Sequence, residues 1–205
     1  MTCPAPLMAV CNIDEQVPYI DYNEFVAAGG SADDNCAIDE ASFIFIDDVS
    51  DNNSCPEIIT RTYQIADLCG NTITCTQTIT IDDEIDPTIT CPDALTAVCS
   101  IDEQAPYADY NEFVAAGGSA DDNCAIDEAS FTLIDEISDG NTCPEVVTRT
   151  YQIADLCGNT ITCTQIITID DEIDPTITCP EALTAVCDIN EQDPYADYNL
   201  SLIHI

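Results

Sequence analysis

Several short stretches of the chain alternate between apolar and polar side chains, the period that places residues on opposite faces of a β-strand. The clearest is residues 72–81, where apolar side chains alternate with threonines and β-branched residues favour a strand. No segment shows a convincing helical period. Further strands are predicted at residues 7–11, 22–28, 42–49 and 57–67.

Turn-forming residues separate these stretches. Clusters rich in Gly, Asn, Asp and Ser occupy residues 29–31, 51–54 and 68–71. Glycine supplies backbone angles that tight turns need, and Asn and Asp bond to their own local backbone. Short strands divided by such turns are typical of an antiparallel β-sandwich. The sequence therefore predicts an all-β protein.

The whole pattern is an 88-residue unit that occurs twice and then begins a third time. The units are taken as residues 1–86, whose N-terminal edge is truncated, 87–174, and the start of a third copy at 175–199. Such regularity predicts a tandem array in which each copy is one structural unit. Residues 200–205 depart from the period and are interpreted as a non-native tail.

The segment between copies, residues 81–88, is acidic and ends near Pro87. Proline interrupts strand pairing and keeps the preceding residue extended. A short linker of this kind is stiffer than a Gly/Ser tether, so the copies are expected to form a linear array.

Each unit contains six cysteines at fixed positions, and no C-x-x-C motif occurs. An even number at repeated positions favours disulfides over a zinc or redox site. Disulfides persist in oxidising compartments, which predicts an extracellular or cell-surface protein with a targeting segment upstream of this sequence.

The chain has 40 acidic residues against two arginines, and its formal net charge is −38. This charge excludes nucleic acids and anionic membrane surfaces as partners, because both bind through cationic side chains. No apolar run is long enough for membrane insertion. Since unscreened carboxylates repel one another in a compact state, a divalent counter-ion is expected.

Three motifs occur in the same order in each complete copy. In the second copy they are DPTITCP at 86–92, ADDNC at 120–124 and YQIADLCGNTITCT at 151–164. Together they resemble the HYR (hyalin repeat) family, whose immunoglobulin-like domains occur in tandem in large bacterial surface proteins and adhesins. The resemblance implies tandem immunoglobulin-like antiparallel β-sandwich domains in a linear array and an adhesive or stalk role outside the cell. It does not imply a ligand.

The immunoglobulin-like topology implied by the resemblance also suggests a disulfide pattern. It places the loops with Cys36 and Cys69 at one end of a domain, and Cys11 and Cys55 towards the other. The pairs expected within the two copies are Cys3–Cys75, Cys36–Cys69, Cys11–Cys55, Cys91–Cys163, Cys124–Cys157 and Cys99–Cys143.

The same topology gathers oxygen-bearing side chains around the second unit. Calcium prefers six to eight oxygen ligands, and the gathered set offers neither free thiolate nor imidazole. A solvated acidic surface, with Asp and Asn serving turns, remains the open alternative. The candidate calcium ligands are Asp83, Asp86, Asp121, Asp122, Asn123, Asp155 and Asn159.

Catalysis is not expected. The one histidine, His204, lies in the suspected tail, the chain has no lysine, and the cysteines are expected to be paired. Arg61 and Arg149 are interpreted as structural, with each stem packed on the sheet and each guanidinium held by a carboxylate.

Two functions remain. The first is a disulfide-stapled and calcium-rigidified stalk of a large secreted or surface protein, in which neighbouring repeats are the partners of each repeat. The alternative is a multivalent module that binds an extracellular protein or glycan through its own loops.

Overall fold

The computed structural model describes residues 1–188, 190 and 193–194. The chain divides into two compact units, Met1–Asp170 and Asp171–Ile205, and both complete repeats lie in the first. We call residues 1–81 repeat one and residues 88–170 repeat two. The suspected tail at 200–205 lies outside the described residues.

Repeat one is built on a four-stranded sheet in the order β1-β4-β3-β2. Strand β1 pairs in parallel with β4, and the other neighbours are antiparallel. A 3-10 turn at Ile13–Glu15 and helix α1 at Tyr22–Ala27 lie between the first two strands. The strands are β1 (Leu7–Ala9), β2 (Ile38–Ser50), β3 (Glu57–Asp67) and β4 (Thr72–Ile81).

Repeat two has the same sheet, in the order β6-β10-β9-β8, and an additional two-stranded sheet, β5-β7. Its 3-10 turn is Ile101–Glu103 and its helix α2 is Tyr110–Ala115. In repeat one, a single bridge between Thr2 and Ser31 stands where β5 pairs with β7. The strands are β5 (Thr88–Thr90), β6 (Leu95–Ala97), β7 (Ser119–Asp121), β8 (Ile126–Ser138), β9 (Glu145–Asp155) and β10 (Thr160–Ile169).

The mostly β architecture predicted from the alternating pattern is confirmed. Strands β3 and β4 match the predicted ranges 57–67 and 72–81, whereas β2 extends beyond the predicted 42–49. The inward side chains of β3 are buried, as the alternation requires.

The strand predicted at 22–28 is wrong, because this segment forms α1. Asp21 caps the helix by accepting the backbone N–H of Glu24 at 2.9 Å, and Glu24 accepts the N–H of Ile20 at 2.9 Å. Tyr22 and Phe25, three residues apart, both point into the core. Within the described residues, no helix is long and apolar enough to cross a membrane.

An aromatic cluster fills the space between the helix and the sheet. Phe25 is fully buried and lies 4.9 Å from Phe43 and 5.6 Å from Tyr63, measured between ring centroids. A Cβ atom at Gly30 would overlap the Phe25 ring, so the chain passes too close for a side chain there. The corresponding cluster in repeat two is Tyr110, Phe113, Phe131, Tyr151 and Ile153.

In repeat one, the buried Arg61 lies on β3 between the aromatic cluster and a smaller aliphatic cluster. The aliphatic cluster consists of Ala9, Ile59, Ile79 and Ile81. Arg61 is 1% exposed, and its Nε and Nη2 donate to the two carboxylate oxygens of Asp48 at 2.8 Å each. Its Nη1 donates to the Gln16 carbonyl at 2.6 Å. In repeat two, Arg149 Nε donates to Glu136 at 2.6 Å. The predicted carboxylate contact is thus present for both arginines.

Candidate metal centre and covalent junction between the repeats

The linker between the repeats is fixed at both ends. The Asp82 N–H donates to the Ala9 carbonyl at 3.1 Å in repeat one. The Thr88 hydroxyl donates to the Asp121 carbonyl at 3.0 Å in repeat two, where Thr88 also opens β5. Pro87 is buried. Hydrogen bonds to both repeats make the linker part of the fold rather than a free tether.

Asp83 lies in the middle of this linker and is only 3% exposed. Its Oδ1 accepts the Ile85 N–H at 3.0 Å, and its Oδ2 accepts the side-chain amide of Asn123 at 3.1 Å. The backbone carbonyl of Asp83 accepts the side-chain amide of Asn159 at 2.7 Å. The two donors to the carboxylate, the Ile85 N–H and the Asn123 amide, are neutral and do not balance its charge.

Asp122 brings a second carboxylate to the same place. Its Oδ2 accepts the N–H groups of Cys124 at 2.8 Å and Ala125 at 3.2 Å, which fixes the side chain in a local turn. Its Oδ1 is buried and has no hydrogen-bond partner. One oxygen of Asp83, one of Asp122 and the sulfur of Cys124 lie within 4.8 Å of one another.

This arrangement fits a hard divalent cation. Cys124 is in a disulfide, so its sulfur is not a thiolate and the ligands on offer are carboxylate oxygens. The carboxylates of the buried Asp83 and the half-buried Asp122 repel each other at this separation, and a cation between them would attract both. Two carboxylates are fewer ligands than a high-affinity calcium site uses, so water would complete the coordination of a weakly bound ion.

Asp155 and Asn159 serve the junction in a different way. The Asp155 Oδ1 accepts the N–H groups of Cys157 and Asn159, and its Oδ2 accepts the Asn159 side chain at 2.7 Å. The same turn occurs at Asp67, where hydrogen bonds from Asn71 hold the pKa of the Asp67 carboxyl below its ordinary value. Asp155 is therefore a turn former that aims Asn159 at the linker.

The remaining two candidate ligands lie outside the cluster. Asp86 and Asp121 are both exposed. Asp121 contributes its backbone to the β5-β7 pairing and to the Thr88 hydrogen bond. The structure therefore brings together Asp83, Asp122 and Asn123, with Asn159 on the backbone of Asp83.

Two disulfides cross the junction. Cys11 is bonded to Cys124, and Cys55 is bonded to Cys157, with Cα–Cα distances of 5.1 Å and 5.0 Å. We call these two bonds the junction disulfides. They join repeat one to repeat two at two separate points, and the linker is a third connection.

Two disulfides lie within the repeats and coincide with the expected pairs. Cys3–Cys75 and Cys91–Cys163 both have a Cα–Cα distance of 5.6 Å. Each lies beside the aromatic cluster of its own repeat.

The other expected pairs are not formed. Cys11–Cys55 and Cys124–Cys157 are excluded because all four of these sulfurs are used in the junction disulfides. In place of Cys36–Cys69 and Cys99–Cys143, the thiols of Cys36, Cys69 and Cys99 are free and exposed. Cys11, Cys55, Cys124 and Cys157 therefore pair across the junction instead of within a repeat.

Local hydrogen bonds hold the loop that carries Cys11. Glu15 accepts the N–H groups of Val10 at 2.9 Å, Cys11 at 2.6 Å and Asn12 at 3.2 Å. The bonds from Val10 and Cys11 lower the pKa of the Glu15 carboxyl. Glu103 does the same for Cys99 in repeat two.

Residues of repeat two line a cavity of about 320 Å³. It is lined by Ile101, Gln104, Pro106, Leu133 and Arg149, among others. The Nη1 of Arg149 is buried without a hydrogen-bond partner.

Comparison of the chain with known protein families and with curated proteins finds no match.

Proposed function

We propose that this chain is a non-enzymatic structural segment, a stalk of tandem repeats in a large secreted or cell-surface bacterial protein that displays an adhesive region elsewhere in the molecule. The observation that carries the proposal is the junction, where two disulfides join successive repeats. A protein that needed independent, freely rotating domains would gain nothing from such cross-links.

The polar contacts of the linker support the same function. Asn123 and Asn159 of repeat two both donate to the buried linker residue Asp83, at 3.1 Å and 2.7 Å, and so hold the linker on repeat two. The partner of each repeat is thus its neighbour, and an extracellular protein or glycan is the partner of the whole. The resemblance to hyalin repeats agrees with this division of roles.

Calcium completes the proposed junction. The uncompensated carboxylates of Asp83 and Asp122 would bind the ion, and water would supply the remaining ligands. Extracellular calcium modules bind with Kd values of about 10⁻⁴–10⁻³ M, which suits a weak site outside the cell. Calcium would then rigidify a joint that the disulfides already hold.

The four disulfides favour an oxidising environment, because such bonds form and persist in secreted and surface proteins. The proposed location is the outer surface of the producing cell. Antibodies raised against this chain should label intact producing cells, and a short protease treatment of those cells should remove the label. Labelling that requires permeabilised cells would exclude a surface stalk, and an antibody against a cytoplasmic protein is the control.

A binding module is the second candidate, favoured by the cavity beside Arg149. Its unpartnered Nη1 is a donor suited to a ligand oxygen such as a sugar hydroxyl. In repeat one the corresponding donor is used by the Gln16 carbonyl. A glycan array probed with the chain and with Arg149→Met tests this function: binding lost in the variant supports it, and absence of binding argues for the stalk.

A further inference from the structure

The cysteines at the two ends of a repeat have different roles. We call Cys124 and Cys157 the leading pair of repeat two, because they face the preceding repeat. We call Cys11 and Cys55 the trailing pair of repeat one, because they face the following repeat. Each junction disulfide joins one trailing cysteine to one leading cysteine.

Repeat one also has a leading pair, Cys36 and Cys69, at the positions equivalent to Cys124 and Cys157 in the 88-residue period. Both of these thiols are free and exposed. They are not bonded to each other, although one loop hydrogen bond, from the Leu68 N–H to the Ala37 carbonyl at 3.3 Å, links their two loops.

The surface around this leading pair has the same construction as the one already engaged in repeat two. Asp34 accepts the Cys36 N–H at 2.8 Å, as Asp122 accepts the Cys124 N–H at 2.8 Å. Asp67 accepts the Cys69 N–H at 2.8 Å, which matches the Asp155 contact to Cys157. Both thiols are therefore held by turns that have already formed without a partner repeat.

The trailing cysteines also have the same local hydrogen bonds in both repeats. The Cys99 N–H donates to Glu103 at 2.7 Å, as the Cys11 N–H donates to Glu15 at 2.6 Å. The second trailing cysteine follows a turn closed by a side-chain hydrogen bond, from Asn53 to Asp51 at 2.8 Å in repeat one and from Asn141 to Asp139 at 2.9 Å in repeat two. A copy of repeat one thus carries both complementary cysteines in a defined local geometry.

We infer that the surface carrying Cys36 and Cys69 is a docking site for a further copy of this repeat, whose trailing cysteines bond to them. Cys36 takes the counterpart of Cys11, and Cys69 takes the counterpart of Cys55. Successive repeats are then stitched together by two disulfides at every junction. The inference rests on the proposed role as a tandem array and specifies the partner at each end.

The chemistry is a thiol oxidation. For each new bond, two thiols lose two protons and two electrons, and one S–S bond forms. A small-molecule disulfide such as oxidised glutathione accepts the electrons and is converted into two reduced thiols through a mixed-disulfide intermediate. The exposure of Cys36 and Cys69 gives both thiols access to this reagent.

The test is a longer chain, in which a second copy of residues 1–88, with its own Cys36 and Cys69 replaced by serine, is placed ahead of Met1 of the full sequence. This preserves the period, because Met1 stands where Ile89 stands in the natural junction. The protein is folded in a buffer of reduced and oxidised glutathione, alkylated, and digested without reduction. Mass spectrometry of the peptides should find Cys36 bonded to the added copy of Cys11, and Cys69 bonded to the added copy of Cys55.

The matched control carries serine at both trailing positions of the added copy. In this control Cys36 and Cys69 should be alkylated, whereas in the parent three-repeat chain their alkylation is lost. A Cys36–Cys69 disulfide, or alkylation of both residues in the parent, would overturn the inference.

The original chain provides an independent measurement that does not require the extension. In the original chain, the same digest should yield alkylated Cys36 and Cys69 together with the two junction disulfides. A Cys11–Cys55 peptide would refute the pairing of trailing cysteines with leading cysteines. Either failure would leave the antibody test of surface exposure intact, so the two proposals can fail separately.

Discussion

Asn159 donates its side-chain N–H to the backbone carbonyl of Asp83, which lies in the linker 76 residues earlier in the chain, at 2.7 Å. The equivalent residue, Asn71, makes the same local bond to its own turn at Asp67, also at 2.7 Å. The two asparagines therefore differ in the one contact that crosses the junction. The chain itself offers a matched pair for measuring what that contact contributes.

Asn159→Ala should destabilise the protein more than Asn71→Ala. Both variants lose the side-chain bond to a turn aspartate, but only the first leaves the partly buried carbonyl of Asp83 without its donor. An unsatisfied buried acceptor costs about 1–3 kcal/mol, and the difference between the variants should fall in this range. Urea unfolding of both variants measures it, and equal losses would show that the junction bond contributes nothing.

Calcium should stabilise the chain through the carboxylates of Asp83 and Asp122. For a Kd of about 10⁻⁴–10⁻³ M, roughly 10 mM calcium gives about 1.4–2.7 kcal/mol by mass action, visible as a higher Tm. Asp122→Asn should abolish this response and raise the stability measured without calcium, because one of two neighbouring like charges is removed. The control is Asp34→Asn at the equivalent position of repeat one, which should keep the response. Unchanged Tm in the parent chain would exclude the site.

The junction disulfide Cys55–Cys157 should stabilise the two-repeat unit. It closes a loop with a sequence separation of 102, and the double variant C55S/C157S should lose about 2–5 kcal/mol of unfolding free energy. The control, C36S/C69S, changes two exposed thiols and should unfold like the parent chain. Equal destabilisation of the two double variants would contradict the observed pairing.

Glu15 should stabilise the fold at neutral pH and lose this effect in acid. The N–H groups of Val10 and Cys11 lower the pKa of its carboxyl below the ordinary value of 4.5. A group with a lowered folded-state pKa contributes stability above its unfolded pKa and loses it as the pH falls through the folded one. Glu15→Gln should thus be less stable than the parent at pH 7, and the gap should narrow as the pH falls below 4.5.

Denaturant unfolding from pH 7 to pH 3 measures that gap. Because acid also relieves repulsion among the other carboxylates, the quantity of interest is the difference between parent and variant at each pH. Glu40→Gln, at an exposed position of β2, is the control for the loss of one negative charge. A parallel pH profile for parent and Glu15→Gln would contradict the role of the ionised carboxylate.

Arg61→Met should cost more stability than Arg149→Met. Arg61 makes three hydrogen bonds, two of them to Asp48, whereas the ion pair of Arg149 with Glu136 is a single contact at 2.6 Å. Losing a buried charged partner costs about 3 kcal/mol, and the exposure of Glu136 reduces this for the second repeat. Thermal unfolding of the two variants checks the order, and the reverse order would contradict this account of the guanidinium contacts.

The strands could be predicted from the sequence because each has one buried face. The alternation in 57–67 places Arg61 and Tyr63 on the same side as the isoleucines, and that side is the core. Helix α1 was missed because six residues are too few for a hydrophobic period. Its signal was local: Asp21 followed three residues later by Glu24 is an N-capping pattern, and Tyr22 with Phe25 is a helical spacing.

The junction was predicted in part. Asp83, Asp122, Asn123 and Asn159 lie close together, as predicted. No sequence pattern distinguishes the buried Asp83 from the exposed Asp86 three residues later. The disulfides show a different limit. An even number of cysteines per repeat is compatible with pairing inside a repeat. It is equally compatible with pairing across every junction, because each cysteine of one repeat can bond to one cysteine of the next. Only the three-dimensional arrangement decides between them.

The disulfides within the repeats determine how the segment responds to tension. Cys3–Cys75 and Cys91–Cys163 each enclose a sequence separation of 72, so a pulling force passes through the sulfur bridge and bypasses the folded chain between. Without its bridge, each repeat would release roughly 240–260 Å of slack on unfolding. With both bridges in place, the load path runs through residues 75–91, so the segment keeps its length under tension even when a repeat unfolds.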